Sequence, residues 1–163
     1  SVSQLPRARL GNPPLRAGDE FELGDHARLS PIVLTPPSLS RRLRIISLDP
    51  GWQGGVWIVS KDSDRRGVRF EIVDGDRPVG GGMDPEPMPT GAVQIPGAGG
   101  PIVLGPDGPV TGGYRLLGVV AKADMSVIAQ SPPGTKLEVQ PISLDAARQT
   151  WQDAVRAWTE PST

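Results

Sequence analysis

The most charged short segment of the chain is the first place to look for chemistry. Residues 62–67 read Asp-Ser-Asp-Arg-Arg-Gly, so two guanidinium groups stand beside two carboxylates and a hydroxyl. A guanidinium presents a planar fork of N–H donors that matches a carboxylate or a bicarbonate-like group. The segment therefore predicts an anion clamp. The alternative is a solvated turn between two strands, capped by its own Asp or Ser side chains.

A second candidate lies at residues 111–114, which read Thr-Gly-Gly-Tyr. The glycine pair lets the backbone come very close to another strand or to a ligand. A turn at this position could present backbone N–H groups and a hydroxyl to a developing oxyanion, as transfer at a carbonyl requires. The alternative is a tight barrel corner, in which glycine avoids a steric clash and Tyr114 is a half-buried core residue.

A third candidate, Gln94, stands in a run of small and apolar residues, Gly91–Pro96. A buried amide must be hydrogen-bonded. We therefore expect Gln94 either to satisfy neighbouring backbone groups or to point into a pocket, and the residues favour neither alternative.

Composition excludes several classes of site. The 163 residues contain no cysteine, which excludes disulfides, a thiol nucleophile and cysteine-based zinc sites. The single histidine, His26, argues against a histidine metal cluster or a serine–histidine triad. We therefore expect no metal site. A formal charge of −1 gives no indication of a nucleic-acid partner or an anionic membrane. The sequence has no apolar run long enough to span a membrane and no signal-peptide pattern, so we expect a cytoplasmic protein.

The elements that must position these side chains are mainly short strands. Glycine and proline separate regularly spaced apolar runs, which is typical of turns between strands. Val79–Pro89 is predicted to be a loop. Strands are predicted around Phe21 and Leu23, at Leu43–Leu48, Val56–Ser60, Val68–Ile72, Ala92–Ile95, Ile102–Leu104 and Leu116–Ala121, and around Leu137 and Val139.

Two helices are predicted near the end of the sequence. A brief helix over Asp124–Gln130 would have Asp124 as its N-cap. The longer helix, Leu144–Thr159, would have Ser143 as its N-cap and should be amphipathic and docked. Its apolar positions recur at three- and four-residue steps: Leu144, Ala147, Trp151, Val155 and Trp158. The two tryptophans are expected to anchor the core or a subunit interface.

Several segments resemble, in order, the signature of the biotin-dependent carboxyltransferase family that includes the C subunit of 5-oxoprolinase and the second subunit of allophanate hydrolase. Such proteins read G-A-[IV]-Q-[IV]-P, then P-I-[VL]-L, then T-T-G-G-Y, then a run ending in S-A-D. The matching segments here are Gly91–Pro96, Pro101–Leu104, Val110–Tyr114 and Lys122–Asp124. Upstream, Ser60–Arg69 is similar to the family's S-x-x-S-[ND]-R-M-G-[YV]-R.

The resemblance also implies site residues. It places Arg65 at the family arginine, whereas Arg66 replaces the usual methionine and Val110 stands where a threonine is frequent. The implied catalytic residues are Arg65, Gln94, Thr111 and Tyr114, and the implied substrate-binding residues are Ser63, Gly67, Gly112 and Gly113. No metal is required, because carboxyl transfer and activation of an amide carbonyl can both rest on positioned donors and arginines.

The fold that the resemblance implies is mainly β. It is a cyclophilin-like antiparallel β-barrel lobe over residues 41–163, with a C-terminal amphipathic helix, preceded at residues 1–40 by the end of a first lobe and a linker. The family's N-terminal half carries a T-[IV]-Q-D-x-G-R-x-G motif that this sequence lacks. We therefore expect a fragment, a split subunit or a divergent remnant that is catalytically incomplete alone.

Three functions follow from the resemblance. The leading hypothesis is a hydrolase component: part of an ATP-dependent 5-oxoprolinase that opens 5-oxoproline to glutamate. The second is a carboxyltransferase component of a biotin-dependent urea carboxylase or allophanate hydrolase system. The third is a non-catalytic binding or regulatory protein that kept the fold. In the first two, partner subunits would supply the N-terminal lobe and the functions of the A and B subunits. The chain itself would bind no cofactor, and ATP or carboxybiotin would belong to the complex.

Overall fold

The computed structural model describes residues 40–97 and 99–159, together with Gly18 and Glu20. The residues from Ser40 onward belong to the second of two compact units, Leu39–Thr163. The expected strand around Phe21 and Leu23, and His26, lie outside the described residues. The predicted domain boundary at residue 40 stays a prediction.

The described part of this unit contains eight strands and two α-helices. The strands are β1 Arg42–Ser47, β2 Gly55–Val59, β3 Gly67–Gly75, β4 Gly82–Pro87, β5 Ala92–Ile95, β6 Ile102–Leu104, β7 Thr111–Val120 and β8 Lys136–Ile142. The helices are α1 Met125–Ala129, which directly follows a 3₁₀ turn at Lys122–Asp124, and α2 Leu144–Thr159.

Seven strands close into a barrel in the order β1-β8-β2-β3-β6-β5-β7, after which β7 pairs with β1. The pairing of β1 with β7 is antiparallel, with Ile45 opposite Val120. The pairing of β1 with β8 is parallel, with Leu43 opposite Val139. This parallel pair departs from a purely antiparallel barrel because the connection from β7 to β8 crosses over β1 and carries α1. The predicted mainly β barrel with a C-terminal helix is confirmed.

The barrel interior is filled by alternate side chains of its strands, as the period-2 geometry of a strand requires. Trp57 is fully buried at its centre. The ring of Trp57 lies 5.9 Å from that of Trp52 and 5.6 Å from that of Phe70. Further buried residues of this core are Leu43, Ile45, Val59, Val93, Val103, Leu117, Leu137 and Val139.

A second, smaller apolar layer lies outside the barrel. All four residues of β5 are buried, because Val93 and Ile95 belong to the barrel core whereas Ala92 packs with Met88 and Leu104 in a separate cluster. Burial on both faces explains why β5 has no alternation of polar and apolar residues.

The ribbon formed by β4 and the first half of β7 corrects two predictions. Val79–Pro89, predicted to be a loop, contains β4, and residues 111–114, predicted to be a turn, lie within β7. Gly82 pairs with Tyr114, and Pro87 pairs with Thr111. Pairing with β7 outweighs the low strand propensity of Gly, Pro, Asp and Glu in β4. An edge strand also tolerates proline because it has one side without a partner strand.

Helix α2 has the predicted bounds. The backbone N–H of Ala146 donates to Ser143 Oγ at 3.1 Å, so Ser143 is the N-cap. The apolar face is only partly covered: Ala147 is buried, but the exposed fractions are 50% for Leu144, 38% for Trp151 and 40% for Val155. Trp151 is instead covered in part by Lys122, whose Nζ lies 4.3 Å from the ring centroid. The side chain of Trp158 lies outside the described residues.

Loss of the Ser143 cap should weaken α2 measurably. We expect Ser143→Ala to lower the free energy of unfolding by about 1 kcal/mol, because a helix N-terminal N–H loses its acceptor. Urea denaturation followed by circular dichroism measures the change. Ser126→Ala, at an exposed serine of α1, is the matched control and should change stability by less than about 0.5 kcal/mol. An equal decrease in the free energy of unfolding in the two variants would contradict the capping role of Ser143.

Candidate active site

Ser63 holds together the hairpin turn that joins β2 to β3. Its Oγ accepts a hydrogen bond from the backbone N–H of Arg69 at 3.0 Å and donates to the carbonyl of Ser60 at 2.8 Å. The hydroxyl therefore spans the base of the turn. This contact supports the turn alternative for Ser63, and its predicted role in substrate binding stays a prediction.

Asp64 begins the tight end of the same turn, where it pairs with Gly67. Its carboxylate accepts hydrogen bonds from the backbone N–H groups of Arg66, at 2.9 Å, and Gly67, at 3.1 Å. Desolvation by the surroundings raises the pKa of Asp64, but the hydrogen bonds from Arg66 and these N–H groups outweigh it and lower the pKa below its ordinary value. Asp64 is thus a charged Asx cap, as the turn alternative predicted.

Arg65 extends from this turn to the loop that follows β6. Its Nε lies 2.8 Å from Asp107 Oδ2 in an ion pair, in which the Arg65 side chain is 63% exposed and Asp107 only 20%. The backbones are joined as well, since Gly105 N–H donates to the carbonyl of Arg66 at 2.9 Å. A Cβ on Gly105 would lie 2.2 Å from the carbonyl oxygen of Arg65, so only glycine fits there. The turn and the loop are therefore packed together, and the ion pair with Asp107 orients an exposed guanidinium.

A groove of about 320 Å³ opens beside Arg65. Apolar side chains from the barrel and α1 form its walls, and the hairpin supplies its polar rim. The residues that define it are Ser63, Arg65, Val68, Leu104, Met125 and Ile128. A guanidinium at the edge of an apolar groove can bind the carboxylate of a small molecule whose remaining atoms are apolar. We call this feature the Arg65 groove.

Gln94 lies elsewhere, in the outer apolar layer. It is 4% exposed, and its Nε2 has no hydrogen-bond acceptor among the described residues. Gly112 sits directly against it, since a Cβ on Gly112 would lie 2.0 Å from Gln94 Nε2 and 2.9 Å from Met88 Cγ. The structure thus brings two of the sequence motifs into contact at a buried amide with an unused donor.

The remaining motif residues lie along β7 and β3. Thr111 and Tyr114 are exposed on the ribbon with β4, whereas Gly113 is half-buried. Gly67 is buried where β3 pairs with β6, opposite Leu104. Residues 94 and 111–114 do not line the Arg65 groove. Residues 111–114 form part of a strand, so the prediction that they form a turn is wrong. The predicted presentation of N–H groups to an oxyanion by such a turn has no basis in this local structure.

One contact in the unit was not anticipated. Asp124, predicted to be a helix N-cap, makes no capping hydrogen bond with its side chain. It accepts instead from the backbone N–H and from Nε of Arg44, each at 2.8 Å, and pairs with Nη2 of the same residue. Arg44 Nη1 also donates to Thr150 Oγ1 of α2 at 3.2 Å. Arg44 of β1 therefore contacts both the final residue of the S-A-D-like motif and helix α2.

Comparison with known proteins assigns the family. The sequence model of the carboxyltransferase domain, subdomain A and B, matches residues 1–141 of the chain. The chain belongs to this carboxyltransferase family. The resemblance carried by the segments between Ser60 and Asp124 is thereby confirmed.

Two relatives within the carboxyltransferase family have curated names. The chain is 30% identical to the C subunit of 5-oxoprolinase from Haemophilus influenzae over 90% of its own length. It is 34% identical to the C subunit of 5-oxoprolinase from Escherichia coli over 68% of its length. The chain spans 52% of the first protein and 35% of the second.

Solved structures agree with the fold. A crystal structure of TTHA0988 superposes with a TM-score of 0.57 and 30% sequence identity, covering 80% of this chain and 28% of that one. The urea amidolyase of K. lactis superposes with a TM-score of 0.60 over 74% of this chain and 9% of that one. Its sequence identity of 22% supports the fold alone.

Across residues 40–97 and 99–159, no helix has the length and hydropathy that crossing a membrane requires. In the same ranges, His, Cys, Asp and Glu side chains do not gather in groups of three or more that could hold a metal ion.

Proposed function

We propose that the chain is part of a component equivalent to the C subunit of 5-oxoprolinase and binds 5-oxoproline in the Arg65 groove. The observation that carries the proposal is the Arg65 guanidinium, paired with Asp107 at the rim of a groove with apolar walls. The 30% identity to the Haemophilus influenzae protein over 90% of the chain supports this choice of substrate.

The chemistry of 5-oxoproline suits such a groove. The molecule has one carboxylate, a lactam and two methylene carbons in its ring. The carboxylate would accept from the guanidinium fork of Arg65, and the ring would lie against Val68, Leu104 and Met125. Binding in one orientation leaves the lactam carbonyl positioned for reaction, which is the main contribution that a site without its own nucleophile can make.

The reaction would need more than this chain. In the proposed reaction water adds to the lactam carbonyl carbon, the C–N bond breaks to give the amine of glutamate, and ATP is hydrolysed to ADP and phosphate. We propose that partner subunits bind ATP and complete the active site, and that the assembled enzyme is cytoplasmic. Gln94, Thr111 and Tyr114 do not line the groove, so their catalytic role stays a prediction.

The proposal predicts a defined loss for Arg65→Ala. We expect kcat/KM for ATP-dependent glutamate release, measured on the chain purified with its copurifying subunits, to fall by about 10- to 100-fold, since one charge-assisted hydrogen bond is removed. The loss should appear mainly in KM, because the contact is made with the bound substrate. Arg65→Lys should recover part of the activity, because it keeps the charge but not the fork.

Arg66→Ala is the matched control, since Arg66 is the neighbouring exposed arginine and pairs with Asp64 at 3.0 Å. Its activity should be close to that of the unchanged chain. Equal activity in Arg65→Ala and Arg66→Ala would remove the site assignment. Transfer of a carboxyl group from carboxybiotin, with no release of glutamate, would replace the proposed reaction with the carboxyltransferase alternative.

A further inference from the structure

A second cleft, of about 380 Å³, lies away from the Arg65 groove. The loop after β1, the loop between β3 and β4, and one residue of β7 form it. Two carboxylates, two guanidinium groups and an indole line it: Asp49, Trp52, Asp76, Arg77 and Arg115. None of these residues lines the Arg65 groove. We call this feature the Arg77 cleft.

One side of the cleft is a preformed ion pair. Arg115 Nη2 lies 2.9 Å from Asp49 Oδ2, and both side chains are partly buried. Arg115 also donates through Nη1 to the carbonyl of Val79. Asp49 Oδ1 accepts from the backbone N–H of Gly51 at 3.0 Å. These contacts hold both side chains in place.

The other two charged side chains, Asp76 and Arg77, are exposed and have no ion-pair partner in the described part of the chain. Arg77 Nη2 donates to the carbonyl of Ile72 at 3.0 Å, and within residues 40–97 and 99–159 no carboxylate lies within 4.0 Å of it. Asp76 accepts from the backbone N–H of Gln53 at 2.6 Å, and it likewise has no cationic side chain within 4.0 Å in the described ranges. The cleft therefore offers one cation and one anion that are held by the backbone but not paired with each other.

We propose that the Arg77 cleft binds a small zwitterion of the α-amino acid type. The ligand carboxylate would pair with Arg77 and its ammonium with Asp76, so that one ligand provides an ion-pair partner for both side chains. A simple anion or a simple cation would leave one of them unmatched. The volume of about 380 Å³ lies in the range of small-molecule sites, about 300–1,000 Å³.

Trp52 provides a reporter for this site. It lines the cleft, is 4% exposed, and has an indole Nε1 without an acceptor among the described residues. In the ¹⁵N-labelled full chain, the Nε1–H signal of Trp52 can be assigned with Trp52→Phe. Titration with glycine should shift this signal and the backbone signal of Gln53 in a saturable way. Acetate and methylammonium, which each carry one of the two charges, should bind at least about 10-fold more weakly.

Variants test the two halves of the proposed contact. Arg77→Gln and Asp76→Asn should each weaken glycine binding by about 10-fold or more, as expected for loss of a charge-assisted hydrogen bond. Arg148→Gln is the control, since Arg148 lies on α2 and pairs with Asp145. If Asp76→Asn disturbs the fold, as judged from the dispersion of the spectrum, Arg77→Gln decides alone.

Three results would overturn the inference: no shift of either signal with glycine or L-glutamate at tens of millimolar, acetate binding as tightly as glycine, or equal effects of Arg77→Gln and Arg148→Gln. The inference does not depend on the proposed function. Loss of amino-acid binding in Arg77→Gln, with 5-oxoproline binding retained, would separate the cleft from the Arg65 groove.

Discussion

Asp124→Ala should lower the free energy of unfolding by about 3 kcal/mol, because it removes one partner of a buried ion pair and leaves the other charge uncompensated. Asp124 has only 3% of its side chain exposed, whereas Arg44 has 28%. The partial exposure of Arg44 places the expected loss at the lower end of the usual range. The hydrogen bond with Asp124 is also the largest cause that raises the pKa of Arg44 above its ordinary value, so Arg44 stays charged at any usual pH.

Thermal or urea denaturation measures this loss. The matched control is Glu138→Ala, since Glu138 pairs with Arg42 at 3.9 Å and both side chains are well exposed. A surface pair of this kind contributes about 0–1 kcal/mol. Asp124→Asn, which keeps one acceptor for Arg44, should fall between the two. A loss in Asp124→Ala no larger than that in Glu138→Ala would contradict the structural role of the pair.

Gly54→Ala should have a comparable or larger effect. Gly54 has φ of +93°, and a Cβ there would lie 2.2 Å from the carbonyl oxygen of Val139. A non-glycine residue at such a φ costs about 1–3 kcal/mol, and forcing a methyl group into filled space costs about 1–3 kcal/mol more. The two effects act together here, because the clash is with the backbone of β8 and no side chain can rotate away.

Gly134→Ala separates these two effects. Gly134 has φ of +86°, but a Cβ there would meet nothing within 4 Å. Its alanine variant should therefore show the backbone strain alone, about 1–3 kcal/mol. The difference between the two variants, measured by the same denaturation experiment, reports the clash with Val139. If the two losses are the same, β8 does not pass as close to Gly54 as the structure indicates.

Much of the fold could be predicted where the signals are local. The bounds of β5, β6 and α2 agree with the prediction, because turn residues flank the two strands and Ser143 caps the helix. Strand β4 could not be predicted in this way. Its glycine, proline and acidic residues favour a loop, and its strand geometry depends on pairing with Thr111–Tyr114. Neither segment has a sequence pattern that predicts this pairing.

The candidate site shows the same limit. The motif around Arg65 identified a charged turn, and the structure adds Asp107 as the ion-pair partner of the guanidinium. The contact between Gln94 and Gly112 depends on how the β4–β7 ribbon lies over β5, which no spacing in the sequence reveals. Arg44 and Asp124 are 80 residues apart, so no local sequence pattern predicts their ion pair.

The position of β1 between β7 and β8 has a consequence for biosynthesis. Both neighbours of β1 come from residues 111–142, so β1 leaves the ribosome long before either can pair with it. In a nascent chain that ends before β8 the barrel cannot close, because β8 is the strand that lies between β1 and β2. Such intermediates aggregate readily and are typical clients of chaperones. The barrel can therefore close only after β8 has left the ribosome.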